Sequence, residues 1–274
     1  MRLLIVALLC STIASQGDAQ IIEYRSRGGA EFRAQADTGA VARAKAALDA
    51  DPRNVDKIIQ LGLAQSGVRQ YHDAIATFTA GMKIDPKNPL LYRWRGHRYI
   101  SIGAFDKALA DLTRGNALDS TNYDILYHLG VSHFERGEFS QAAKAFAQAQ
   151  RRAPNDNEIA GSTDWLWMSL ARANRMADAQ KALAPINDSL KITSATAYWQ
   201  RLKLYRGVIG PDQVIGPSDT AAVQLSTMSF GVGNWYLAKG DTANARQWFK
   251  RAVDSGGWPG FAFFAAETEL RRLR

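Results

Sequence analysis

The chain has 274 residues, with 34 Lys and Arg against 26 Asp and Glu, a formal charge of +8, and one cysteine, Cys10. That length suffices for one buried core or for a row of smaller interfaces between repeated units. A single cysteine excludes an intrachain disulfide. The scattered basic residues argue against a nucleic-acid-binding stripe and suit an anionic surface or an acidic partner.

Met1 and Arg2 precede an apolar run from Leu3 to Leu9, continued through Cys10 to Ala14, and then the small and polar Ser15, Gln16, Gly17, Asp18 and Ala19. A basic start, a short greasy middle and small residues at Gly17 and Ala19 predict a secretory signal over 1–19, cleaved near Ala19–Gln20, and hence an exported, periplasmic or secreted protein. The apolar run is shorter than the ~20 residues a membrane-spanning helix needs, and no later stretch is apolar for longer. Leu8 and Leu9 stand before Cys10 where a lipid-attachment site carries a small residue, which disfavours lipidation. Arg2 and Asp18 cancel, so cleavage would leave the net charge unchanged. Residues 20–37, with Arg25-Ser26-Arg27-Gly28-Gly29, read as a flexible basic lead.

From residue 38 the chain becomes periodic. Ala40, Ala44 and Ala47 before Asp51-Pro52 form the second helix of a partial repeat, and three full repeats follow at 55–88, 89–122 and 123–156. Pro52, Pro86 and Pro154 lie on a 34-residue ladder whose missing rung is Ser120. The eighth place of each full unit holds Gly62, Gly96 or Gly130; the twentieth Ala74, Ala108 or Ala142; the twenty-fourth Phe78, Leu112 or Phe146. Two antiparallel helices cross closely only where side chains are small, and large neighbours then fill the space beside the crossing. Asn54, Asn88 and Asn122 stand where helix N-caps are needed, and Gly103 and Gly137 where a left-handed residue joins two helices.

After Pro154 the ladder slips by three. Trp167, Leu170, Ala179 and Leu183 fit a unit near 160–193, with Asp156–Ser162 as an extended loop before it; a degenerate pair occupies 194–225. Gly233, Tyr236, Gly240, Ala245, Phe249 and Ala252 define another unit at 226–258, and 259–273 reads as a capping helix, apolar at Phe261, Phe264 and Ala265. The whole of 157–274 is a divergent continuation of the 38–156 array.

The offsets of these small and large residues resemble the tetratricopeptide repeat. The resemblance implies an all-α, right-handed solenoid of antiparallel helix pairs with a C-terminal cap, acting as a scaffold that binds a protein or peptide in its concave groove. In that family the second, fifth, ninth, twelfth and thirteenth places of each first helix line the groove. Carried over, these are Asp56, Ile59 and Leu63; Leu90, Arg93 and His97; Asp124, Tyr127, Val131 and Phe134; and Asp164, Met168 and Arg172. The partner-binding set expected from them is Arg93, His97, Tyr127, Val131, Phe134, Met168 and Arg172, because aromatic and Arg side chains dominate protein contacts. The family's carboxylate clamp needs Lys, Asn and Arg where this chain has Ile59, Leu63, Trp94, Asp124 and His128, so clamp binding is not expected. The tail, chiefly Gly233-Asn234-Trp235-Tyr236-Leu237 and Gly240-Asp241, is also similar to bacterial cell-envelope adaptors of the NlpI lipoprotein type, which implies partners among envelope enzymes.

Nothing in the sequence points to catalysis. His72, His97, His128 and His133 show no metal-ligand spacing, and no nucleophile elbow or phosphate loop is present, so neither a cofactor nor a metal is expected. The reading is an exported repeat adaptor. A structural protein bound to an anionic envelope polymer is its alternative, and a hydrolase using the divergent segment 185–225 ranks third.

Overall fold

The computed structural model describes residues 21–273; the expected signal, 1–19, lies outside them. The chain opens with a β-hairpin, β1 (Ile22–Arg25) and β2 (Glu31–Arg33), and continues as helices to its end. After α1 (Ala40–Asp49), three helix pairs follow: α2 (Val55–Gly67) with α3 (Tyr71–Ile84), α4 (Pro89–Ser101) with α5 (Phe105–Leu118), and α6 (Tyr123–Glu135) with α7 (Phe139–Arg152). Each pair packs within itself and on the next, in the sequential layering of an α-solenoid.

Local chemistry sets the boundaries of these helices. The side chains of Asn54, Asn88 and Asn122 accept from the amides of Lys57, Leu90 and Ile125, satisfying donors left free in each first turn. Gly103 and Gly137 take φ of 73° and 81° between the paired helices, a region that a side chain disfavours. Within each pair the eighth-place glycine lies directly against the twenty-fourth-place side chain. A Cβ on Gly96 would meet Leu112 Cγ at 2.7 Å, and one on Gly130 would meet the Phe146 ring at 2.8 Å. Phe78, Leu112 and Phe146 are all fully buried. The 34-residue periodicity is therefore one packing solution used repeatedly.

The slip in the ladder is a longer helix. The expected extended loop over Asp156–Ser162 is instead the start of α8 (Asp156–Arg172), which runs unbroken for 17 residues. Asn155 caps it by accepting from the Glu158 amide, and Asp156 and Glu158 place acidic charge in its first turn, where the helix dipole favours it. Polar residues that resemble a loop are thus a strong helix start. The short α9 (Met176–Ala182) returns, followed by α10 (Thr196–Tyr205), a 3-10 turn at Pro211–Gln213, α11 (Ala222–Ala238), α12 (Thr242–Asp254) and α13 (Phe261–Arg272).

In this second half the chain closes on itself. Helix α13 forms a last layer on α11 and α12 and also reaches across to α6. There the Arg272 guanidinium donates to the Glu135 carbonyl at 2.8 Å, and Phe264 meets the Phe105 ring edge-on at 6.0 Å.

The expected flexible lead is ordered instead. Its strands pair antiparallel with Tyr24 opposite Phe32, and the two rings meet the aromatic start of the C-terminal segment. Phe32 stacks on Trp258 at 5.1 Å, and Tyr24 donates its hydroxyl to Glu267 at 2.5 Å. The amide of His72 donates to the buried Glu23 carboxylate at 3.0 Å, tying the hairpin to α3. Alternating apolar and charged residues on either side of a Ser-Arg-Gly-Gly turn suit a hairpin, but two strands alone are marginal in water. Aromatic residues from more than 220 positions away provide the surface on which it folds.

Candidate functional site

The first helices of the pairs do turn toward one concavity, but the chain's own C-terminal half fills most of it. Of the expected partner-binding set, Val131, Phe134 and Met168 are fully buried. Phe134 packs among Phe139, Trp165 and Phe230, and Met168 Sδ accepts from Arg201 of α10 at 2.9 Å. Arg172 pairs with Glu269 of α13 at 2.5 Å and lies over the Phe139 ring. These four side chains are occupied internally and are not available to a partner. The expectation assumed an open groove, whereas α10, α11 and α13 cover it.

Of the other three, His97 lines the cleft that stays open, while Arg93 and Tyr127 are buried beside it. Arg93 lays its guanidinium over the Trp94 ring, 3.4 Å from its centroid, and pairs with Asp124 at 3.0 Å. His97 sits between His128 at 4.2 Å and Phe261 at 5.3 Å, ring centre to ring centre. The hydroxyl of Tyr127 meets that of Tyr198 on α10 at 3.1 Å. Asp56 is exposed, Ile59 is buried between α2 and α3, and Asp164 is fully buried against Arg201.

A cleft of about 270 Å³ survives between the repeats and the C-terminal turn. His97 and Trp165 line its repeat side, Tyr198 and Arg201 come from α10, and Val223 and Phe261 from the segments that closed over the groove. Sequence reasoning missed Tyr198, Arg201, Val223 and Phe261 as site residues. A usable signal was α13 itself: Phe261, Phe263 and Phe264 spread apolar surface beyond one face, more than a helix covered on one side requires.

The cleft is rich in unpartnered polar atoms. Trp165 Nε1 and His97 Nδ1 have no hydrogen-bond partner, nor do Arg93 Nε and Nη1 beside them. Buried polar groups are normally paired, so these atoms mark where polar groups of a ligand would be rewarded. Leu90 and Val223 are each about two-fifths exposed, unusual for side chains of their type on a well-packed repeat.

Electrostatics keeps both imidazoles uncharged. Burial, with Arg98 and His128 adding to it, holds His97 well below the ordinary histidine range; burial and then Arg93 push His128 down to about 3. The unfolded chain takes up these protons near pH 6.5, while the folded chain resists them. Their contribution to stability is whole above pH 6.5 and is lost as pH falls below it. Glu135 works in the opposite sense, because burial raises its pKa and disfavours the ionised form as pH rises. The histidine effect is therefore read as a difference. As pH falls below 6.5, urea unfolding should show wild type losing stability more steeply than a His97→Gln, His128→Gln variant, and equal losses would remove the histidines as the cause.

Among the described residues no group of three or more His, Cys, Asp or Glu could hold a metal ion, and no helix is long and apolar enough to cross a membrane.

Solenoid layering, small-on-large helix crossings and a concave face lined by first helices define a helical repeat protein of the binding class. Residues 99–163 match the tetratricopeptide repeat family model. The chain is 26% identical over 107 residues to Hsp70-Hsp90 organizing protein 2 of Arabidopsis thaliana, a match covering 39% of this chain and 19% of that protein. It is 28% identical over 89 residues to human tetratricopeptide repeat protein 28, covering 32% of this chain and 4% of that one. The chain thus spans a fifth or less of the length of these relatives. Among solved structures, a tetratricopeptide repeat protein from Parabacteroides merdae superposes with a TM-score of 0.51 at 18% identity, over 85% of this chain and 90% of that one. Residues 99–163 are thus of tetratricopeptide repeat type, within an α-solenoid that continues on either side of them.

Proposed function

We propose that the protein is an exported scaffold that binds a peptide segment of a partner protein in the cleft left open between its repeats and its C-terminal turn. The observation carrying this reading is the pair of unpartnered polar atoms, the donor Trp165 Nε1 and His97 Nδ1, which donates or accepts according to its tautomer, on a cleft whose rim exposes Val223. Peptide backbone groups are the partners such atoms suit, and an apolar side chain would cover the rim. Export rests on the signal pattern of residues 1–19, and a cell-envelope setting on the tail's likeness to envelope adaptors.

The test uses Val223→Asp, because that side chain is exposed on the rim of the cleft. Peptides selected from a display library by the wild type are expected to bind Val223→Asp at least tenfold more weakly, with helicity unchanged. Equal binding to both proteins would remove the cleft from the account. Binding that vanishes in high salt and shows no peptide preference would favour the anionic-polymer alternative. Amino-terminal sequencing of the protein recovered from its host tests export, with Gln20 as the expected first residue.

A further inference from the structure

A second cavity, away from the groove, is larger than the cleft. About 690 Å³ lies between α8, α9, the loop after α10 and the end of α11, within the range of ligand-binding pockets. Its floor is the Trp167 indole stacked on the Tyr205 ring, 3.8 Å apart and within 7° of parallel. Trp235 forms one wall, with Lys239 one turn further along α11 and its Nζ 4.1 Å from the Trp235 ring centre.

Three features mark this cavity as unfinished. Trp167 is 2% exposed, yet its Nε1 has no hydrogen-bond partner. Met176 and Val208, on opposite edges, are 37% and 59% exposed, two of the few large apolar side chains the described residues show to solvent. Its charged lining is cationic throughout: Arg206 and Lys239 contribute, and no carboxylate does. Arg206 has only a long contact of 3.8 Å to Asp188, itself almost wholly exposed. Arg206 and Lys239 thus place two cationic side chains on the lining, with Asp188 the carboxylate that Arg206 reaches, and the chain as a whole is basic.

We infer that this cavity is a second docking site, which takes an acidic peptide segment of a partner by inserting one aromatic side chain against the part-exposed Trp235 ring, over the buried Trp167–Tyr205 floor. Flat rings stack on flat rings, and indoles make large contacts at small entropic cost, so floor and wall select an aromatic side chain. Lys239 and Arg206 select carboxylates flanking it. Met176 and Val208 lie outside the pocket's depth, where a single ring would not cover them but the neighbouring residues of an extended segment would. That apolar rim assigns the occupant to a peptide and not to a small aromatic acid.

The probe is a blocked pentapeptide with phenylalanine between pairs of glutamates, titrated calorimetrically into the full-length protein. Wild type is expected to bind it, and to bind the alanine-centred analogue at least tenfold more weakly. Lys239→Glu and Trp235→Ala should each weaken binding about tenfold or more with helicity unchanged, and Trp235→Phe should restore most of it. Val223→Asp, in the other cleft, should leave it untouched, so failure here and failure of the groove reading are separable. Equal affinity for the phenylalanine and alanine peptides, or indifference to Lys239→Glu, would overturn the proposal. So would tighter binding of free 3-phenylpropionate than of the peptide, which would make this a small-acid pocket, or loss of binding in Val223→Asp.

Discussion

Arg201→Ala is expected to destabilise the protein by about 3–5 kcal/mol, the usual result of leaving one member of a buried ion pair alone. Arg201 and Asp164 are both completely buried, with Nη2 2.7 Å from Oδ2. The same guanidinium donates to the Thr227 carbonyl at 3.1 Å, and its Nε donates to the Tyr205 hydroxyl at 3.3 Å. One side chain thus joins α8, α10 and α11, the junction at which the second half of the chain turns back over the repeats. Truncation removes these contacts and the one to Met168 Sδ, four in all, and strands the Asp164 carboxylate in a site that cannot hydrate it. Asp164→Ala should cost a similar amount for the converse reason. Changing both at once to apolar residues of matched size, Asp164→Leu with Arg201→Met, should recover most of the loss, because no unpaired charge remains. Urea unfolding of the three variants gives the coupling directly; if the two single losses simply add in the double variant, the pair is not the source of the stability.

What the sequence could show depended on how far apart in the chain the interacting residues lie. Gly96 meets Leu112, and Gly130 meets Phe146, sixteen positions on in each case, inside one repeat. Such contacts recur with the repeat, so each copy confirms the others, and caps such as Asn122 act within three residues. The solenoid was therefore legible. The closure over the groove was not, because its contacts run between segments that share no period: Tyr24 with Glu267, Ser101 with Trp258, Glu135 with Arg272. Each of these residues has an ordinary local explanation as a strand, a helix end or a cap. The site suffered accordingly. Arg93, His97 and Tyr127 could be named because repeat geometry aims first-helix side chains inward, but nothing periodic announced that α10 and α13 would bring Tyr198 to Tyr127 and Phe261 to His97.

Trp258→Ala should cost about 3–5 kcal/mol and should also release the amino-terminal hairpin, an outcome that separates it from an ordinary core truncation. Trp258 is 1% exposed, its ring stacked on Phe32 and edge-on to Tyr71 at 5.5 Å, with its Nε1 donating to the Ser101 carbonyl at 2.9 Å. It is therefore the point where the hairpin, the first full repeat, the end of α4 and the C-terminal segment come together. Removing the ring takes away the surface that makes a two-stranded hairpin worthwhile, and Phe32 and Tyr24 lose most of the reason to stay folded. Hydrogen exchange should then show the amides of residues 22–33 losing protection while the helices at 55–152 keep theirs. Trypsin should cut early at Arg25 and Arg27, which carry exposed basic side chains in the turn region. Trp258→Phe keeps a ring but not the donor to Ser101, so it should cost about 1–3 kcal/mol and leave the hairpin protected. If Trp258→Ala lowered stability by the expected amount but residues 22–33 stayed as protected as in wild type, Glu23 with His72 and Tyr24 with Glu267 would be sufficient to hold the hairpin without the indole.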